Sequence, residues 1–280
     1  MKTRLRFAGF CFAVLMGLGS GILATAQEKA AAPKEEAKEA KAKVDFEAIG
    51  KIALAATKEG NPDLIRLAPK HDVFLDKKNK VIVVDGAVCL REGQLEMFAC
   101  PKGTKEHESV VALNCVAEQV HAGLLAVGAK PGTPVSFNPK YQAASGDIVD
   151  IFVVWNDEKG NVKHVRAQDW VQYVKTKKAM EYDWVFAGSG FWEDEETKVK
   201  HYQANSGDFI CVSNFPTATL DLPVESSQAN SNLLFHAFTE NIPAKGTKIR
   251  LVLIPRRSKE GAAAPAAPAK DEKSAKEKAR

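Results

Sequence analysis

The chain has 280 residues, 45% of them apolar, with 39 Lys/Arg against 35 Asp/Glu; that is enough for a real core in one large domain or two small ones. The formal charge of +4 is unevenly placed, because residues 44–255 carry 23 basic and 27 acidic side chains, whereas residues 256–280 carry eight basic against four acidic. A nucleic-acid-binding domain with Lys/Arg gathered on one face is therefore excluded, and the basic tail supports only a weak, salt-sensitive contact with a polyanion or anionic lipid.

Residues 1–26 follow the secretory pattern: basic Lys2, Arg4 and Arg6, an apolar run from Phe7, then Ala24-Thr25-Ala26 before Gln27. The run 7–26 is also about long enough for an uncleaved anchor. Gly17, Gly19 and Gly21 weaken it as a helix, so a cleaved signal peptide is predicted. The mature chain is then expected in the periplasm or outside the cell, with no membrane span left. Residues 27–43 contain no large apolar side chain and read as a flexible Ala/Lys/Glu spacer. Residues 256–280 read as a basic low-complexity tail, in which Pro265 and Pro268 favour an extended chain. Such a tail either keeps the protein soluble or holds it near an anionic envelope polymer.

The globular part, 44–255, opens with a short helix marked by Phe46, Ile49, Ile52, Ala53 and Ala56. Segments 72–75 and 81–84 flank Asp76-Lys77-Lys78-Asn79 and predict a hairpin. Asp85-Gly86 predicts a turn into 87–90, and Glu92-Gly93 a second hairpin into 95–100. A helix follows over 116–127, striped by Val116, Val120, Leu124 and Val127 and closed by Gly128. A short strand is expected at 135–137. The apolar run 148–155 predicts a central strand covered on both faces, turned back by 156–161 into 162–166. A short amphipathic helix is expected near 169–175, then strands at 184–186, 201–204, 209–213 and 248–254. The expected fold is α+β: one domain with a mainly antiparallel sheet and two or three short helices.

After signal cleavage Cys89, Cys100, Cys115 and Cys211 remain. An even number in an exported chain allows disulfides in three connectivities. A tight hairpin at Glu92-Gly93 would set Cys89 and Cys100 roughly 13 Å apart, beyond bridging distance. Buried thiols are the alternative. The chain has no C-x-x-C, and neither an iron–sulfur nor a nucleotide signature.

Two segments concentrate chemistry-bearing side chains. The first, 96–121, holds Glu96, Cys100, Glu106, His107, Glu108, Ser109, Cys115 and His121. Imidazole and carboxylate suit a divalent metal, so His107, Glu108 and His121, with Glu96 or Cys100, form a candidate metal or ligand site. The plainer structural reading makes His121 a core histidine and Glu106 and Glu108 helix-start acids. The second is Trp184-to-Trp192, WVFAGSGFW, where Gly188, Ser189 and Gly190 could admit a ligand to the backbone, with Phe191 and Trp192 as a platform. A bend in a core strand is the plainer account. Glu193, Asp194, Glu195 and Glu196 read as an exposed turn without the ligand spacing of a calcium loop.

The stretches LREGQLEMFACPKGTKEHESVVAL, WVFAGSGFW and GDFICVSNFPTATLDLPVESS resemble the YdjY-like domain family of exported bacterial proteins. The resemblance covers most of residues 70–255. It implies one domain and an envelope address, and it supplies no catalytic residues. The expected function is a non-catalytic envelope module that binds a protein, polymer or small ligand. The alternative is a metal-binding domain or metal-dependent enzyme using the His107, Glu108 and His121 region.

Overall fold

The computed structural model describes residues 44–226 and 233–256. The predicted signal peptide, spacer and all but Arg256 of the tail lie outside the described residues. In chain order the elements are helix α1 (Phe46–Ala56), strands β1 (Leu64–Arg66), β2 (Val73–Asp76), β3 (Val81–Val88) and β4 (Met97–Pro101), a 3-10 turn (Glu106–Glu108), β5 (Ser109–Leu113), helix α2 (Ala117–Ala126), β6 (Ile148–Asn156) and β7 (Val162–Arg166). A second 3-10 turn (Ala167–Trp170) leads to β8 (Val171–Tyr173), β9 (Lys178–Ala179), β10 (Trp184–Phe186), β11 (Phe191–Glu193) and β12 (Lys200–Tyr202). After a third (Gln203–Ser206) come β13 (Ile210–Cys211), β14 (Leu220–Asp221), β15 (Phe235–Ala237) and β16 (Lys248–Pro255).

Eight strands, in the order β3-β16-β6-β10-β14-β13-β4-β5, close into a barrel because β5 pairs back onto β3. Six of the eight junctions are antiparallel, and β13–β14 and β4–β5 are parallel. The expected α+β domain with a mainly antiparallel sheet is thus corrected to a mostly-β closed barrel with extra strands. Closure depends on two long strands that each change partner midway. The first half of β3 pairs with β2 and its second half with β5. Likewise β6 meets β10 at its start and β7 at its end.

Gly86 marks the β3 crossing. A Cβ there would lie 2.4 Å from the Ala112 carbonyl oxygen, so the strand passes β5 at a distance only glycine allows. The expected turn at Asp85-Gly86 is therefore an unbroken strand. The second expected hairpin is also absent, since β4 pairs with β5 and β13 rather than with β3. Residues 167–173 form a 3-10 turn and β8 instead of a helix, and 135–137 supplies only an isolated bridge from Ser136 to Gln142.

Alternation fills both faces of the central strands. Ile82, Val84, Ile151, Val153, Leu251 and Leu253 point to the main core. Their neighbours Val81, Val83, Phe152, Val154 and Val252 pack against Ala53 and Ala56 of α1. This is why 148–155 reads as a continuous apolar run. Asp45 caps α1 through the Ala48 N–H, and the Arg166 guanidinium lies 3.8 Å from the Phe46 ring centre. Where the described chain ends, Arg256 forks onto Asp150 at 2.5 and 2.7 Å and onto Asp183 at 2.8 and 3.1 Å, tying β16 to β6 and to the approach of β10. Among the described residues no helix is long and apolar enough to cross a membrane.

Candidate functional site

The structure divides the sequence-predicted site residues between two neighbouring clusters. In the first, Glu96 precedes β4, Lys105 and Glu108 border the turn between β4 and β5, and Asp208 precedes β13. The Lys105 Nζ stands among all three acids, 2.9 Å from Asp208 Oδ1, 3.4 Å from Glu108 Oε1 and 4.0 Å from Glu96 Oε2. Its stem crosses Gly207, where a Cβ would lie 2.7 Å from the lysine Cγ, and its ammonium lies 4.6 Å from the centre of the Phe215 ring. Burial and the neighbouring Glu108 carboxylate push Glu96 up. Burial alone would lower Lys105, but Asp208, Glu108 and Glu96 together raise it, so it stays charged.

His107 stands at the rim, 76% exposed, with Nε2 3.7 Å from Glu108 Oε2. Cys100 is buried in β4, and burial raises its thiol. The ammonium occupies the point between the carboxylates, and among the described residues no group of three or more His, Cys, Asp and Glu is placed to hold a metal ion.

All four described cysteines are free thiols. Cys89 bonds to one side of β5, through its N–H to the Val110 carbonyl, while Cys100 pairs with Ala112 on the other side. Two inter-strand spacings, about 9–10 Å, separate them, so β5 rather than a hairpin keeps them apart. Burial pushes the Cys89 thiol up to about 12, which leaves it a poor nucleophile at neutral pH.

The second cluster gathers His121 with the Gly-Ser-Gly segment. The His121 Nδ1 lies 2.8 Å from the Tyr202 hydroxyl, which donates to the Gly188 carbonyl at 3.1 Å and lies 3.0 Å from Thr219 Oγ1. The imidazole also packs edge-on against Phe186. Burial holds His121 below the ordinary imidazole range and pushes Tyr202 up to about 12, so both are neutral at pH 7. Gly188 has φ 91° and Ser189 φ 54°, which places this turn in the left-handed region. A Cβ on Gly188 would also meet Pro131 Cβ at 2.9 Å. The Ser189 hydroxyl donates to the Thr217 carbonyl at 2.6 Å, and the Gly190 carbonyl accepts from the Gln203 N–H.

From this turn β11 and β12 form a hairpin of their own. Trp192 pairs with His201 and stacks on it, with ring centres 4.5 Å apart and planes at 21°. Phe191 packs on Tyr202 at 5.2 Å. The outward surfaces remain open: Phe191 is 55% exposed and Trp192 and Val199 are each 49% exposed.

The two clusters meet through Asp208, which accepts from the Thr217 hydroxyl at its carboxylate and from the Thr219 N–H at its carbonyl. His107 and His121 therefore belong to different sets of partners, and Glu96, Glu108 and His107 stay together without His121. Tyr202, Thr217 and Thr219 were not among the expected site residues. Each is brought in by a non-local pairing, and only the aromatic identity of Tyr202 beside His201 hinted at it. Asp221 of β14 is a further buried acid, held by Asn214 and by the Leu222 N–H and pushed up to about 7 by burial.

A closed mixed barrel carrying an exposed aromatic hairpin defines the class of module. The YdjY domain profile matches residues 73–254, and the chain belongs to the YdjY domain family. The matched span runs from β2 to β16 and so covers the whole barrel and hairpin, while α1 and β1 lie outside it. No curated protein and no solved structure matches the chain.

Proposed function

We propose that the chain is an exported cell-envelope binding module that does no chemistry of its own and contacts an envelope polymer through the β11–β12 hairpin. The observation that carries this reading is the open Trp192–His201 stack, with exposed Val199 beside it and exposed Phe191 on the other face of the same hairpin. Large rigid aromatics left in water at a loop-borne surface are costly unless something covers them. Beside them lie the polar groups of Ser189, Gly190 and Gln203, which can orient a ligand that the rings hold by contact. The barrel and the His121–Tyr202–Thr219 contacts supply the rigid base.

The metal-dependent alternative at His107, Glu108 and His121 has less support. His121 is committed to the Tyr202 hydroxyl, and a lysine ammonium stands between Glu96, Glu108 and Asp208.

Co-sedimentation of the full mature chain with isolated, insoluble envelope glycan tests the proposal. The wild-type protein is expected in the pellet and Trp192→Ala in the supernatant, with the circular dichroism of the two unchanged. Equal partitioning of both proteins contradicts it.

A further inference from the structure

The β11–β12 register sorts the hairpin's side chains onto two unlike faces. Phe191 lies opposite Tyr202, Trp192 opposite His201 and Glu193 opposite Lys200. Cross-strand partners share a face and successive residues alternate, so Phe191, Tyr202, Glu193 and Lys200 stand on one side and Trp192 and His201 on the other. Lys198 belongs with the first side, its Nζ 3.8 Å from Glu193 Oε1. The lysines of the hairpin are thereby gathered with Phe191 and Glu193, away from the Trp192–His201 stack.

Two further pairs complete the Trp192 face. Toward the tip, the Asp194 N–H donates to the Val199 carbonyl. Asp194 Oδ1 accepts from the Glu196 and Thr197 N–H groups and from the Thr197 hydroxyl, so this carboxylate serves the turn. Toward the barrel, the Gln203 N–H donates to the Gly190 carbonyl. Gly190 has no side chain, and the Gln203 carboxamide fills the space: a Cβ on Gly190 would lie 2.9 Å from Gln203 Oε1. Among the described residues that carboxamide makes no hydrogen bond. In rows about 7 Å apart, the face therefore presents a free carboxamide, two stacked rings and a valine.

We infer that this face selects an uncharged sugar chain, one ring seating its C–H face on the Trp192–His201 stack while an edge hydroxyl or acetamido group meets the Gln203 carboxamide. The inference rests on the reading of the hairpin as a contact surface and names the chemistry of what it contacts.

Both halves of the face suit that ligand. An equatorially substituted pyranose has flat faces lined by C–H groups and a rim of polar groups. The exposed rings supply apolar area at small conformational cost. A carboxamide offers two donors and an acceptor, which matches hydroxyl and acetamido groups that both donate and accept, and it fixes the orientation of a ligand held by ring contact. A polyanion would need cations beside the rings. Lys198 and Lys200 instead face Glu193 on the opposite side, and the carboxylate at the tip of the Trp192 face would repel it.

Isothermal titration calorimetry of the full mature chain tests this, with a soluble β-1,4-linked N-acetylglucosamine oligomer as neutral probe and a galacturonate oligomer as anionic probe. The neutral oligomer is expected to bind with an affinity that changes less than about twofold between low salt and about 0.5 M salt, and the anionic one not to bind. Trp192→Ala should abolish binding. Gln203→Ala should weaken it about 3–10-fold through the lost hydrogen bonds, and Gly190→Ala should do the same by displacing the carboxamide while leaving the stack in place. Circular dichroism of each variant verifies that the fold is kept. The inference is overturned if the neutral oligomer does not bind, if its binding ignores Trp192, Gln203 and Gly190, or if the galacturonate oligomer binds with an affinity that collapses in salt. Should Trp192 still govern pelleting with insoluble envelope glycan in any of these cases, the choice of ligand is wrong and the hairpin reading stands. Pelleting that is insensitive to Trp192 defeats both.

Discussion

The His121 imidazole on α2 and the Tyr202 hydroxyl at the end of β12 lie 2.8 Å apart, so a helix, the hairpin and the barrel meet at one oxygen. That oxygen also reaches the Gly188 carbonyl and the Thr219 hydroxyl. Replacing Tyr202 by Phe keeps the ring contacts with Phe191 and His121 and leaves these polar groups unpaired. A loss of about 1–3 kcal/mol in urea unfolding is expected. Burial holds the His121 pKa below 6.5, so on acidification the unfolded chain takes up this proton first. The group's contribution to stability is full above pH 6.5 and is lost as pH falls below it, and His121→Gln should remove that slope.

Asp221 titrates in the opposite sense. Its carboxyl is pushed from 3.8 to about 7 by burial, so between those values the folded protein keeps a proton that the unfolded chain has lost. The group's contribution to stability is full below pH 3.8 and declines up to pH 7. In Asp221→Asn that decline is expected to disappear, with the midpoint of unfolding at pH 8 raised relative to wild type. Unfolding curves collected from pH 4 to 8 for both proteins check it, and parallel profiles would refute the assignment.

Lys105 neutralises a crowded set of acids. Lys105→Met leaves Glu96, Glu108 and Asp208 facing one another, and a destabilisation of about 2–4 kcal/mol at pH 7 is expected from the uncompensated, partly buried charge. Because protonation relieves this repulsion, the variant should recover toward wild-type stability as pH approaches 4. A pH-independent deficit would instead mean that the loss is packing against Phe215.

Barrel closure rests on Gly86. A methyl group there would overlap the Ala112 carbonyl at 2.4 Å, where the shift must come from backbone rather than a flexible side chain. Gly86→Ala is expected to lower stability by about 2–4 kcal/mol. The exposed turn glycine Gly93, with nothing within 4 Å of its Cβ position, is the comparison. Its φ of 107° makes Gly93→Ala cost only the strain of the backbone, about 1–2 kcal/mol.

The locally determined parts of the fold were legible in the residues. Helix α1 carries its own apolar spacing, α2 its stripe and terminal Gly128, and the β2–β3 and β6–β7 hairpins their turn residues. What could not be read is set by partners distant in sequence. Gly86 has the same identity in a turn as in a close strand crossing, and only the position of Ala112 distinguishes them. Strands β13 and β14 have two residues each and exist because neighbours pair with them, so they carry no periodicity of their own. The same holds for the site. Glu96 and Glu108 lie together because the Glu96 N–H donates to the Glu108 carbonyl where β4 and β5 begin, and His107 Nε2 stands 3.7 Å from Glu108 Oε2. His121 was assigned with them on sequence proximity, whereas the turn of α2 directs it to Tyr202, 81 residues away.

The most direct test of the account is hydrogen exchange of the full mature chain with and without soluble fragments of envelope glycan. The account predicts new protection concentrated in residues 188–202, with little change around Lys105 and Glu108. Protection centred on residues 96–108 with an unchanged hairpin would contradict it and move the binding site to the carboxylate cluster.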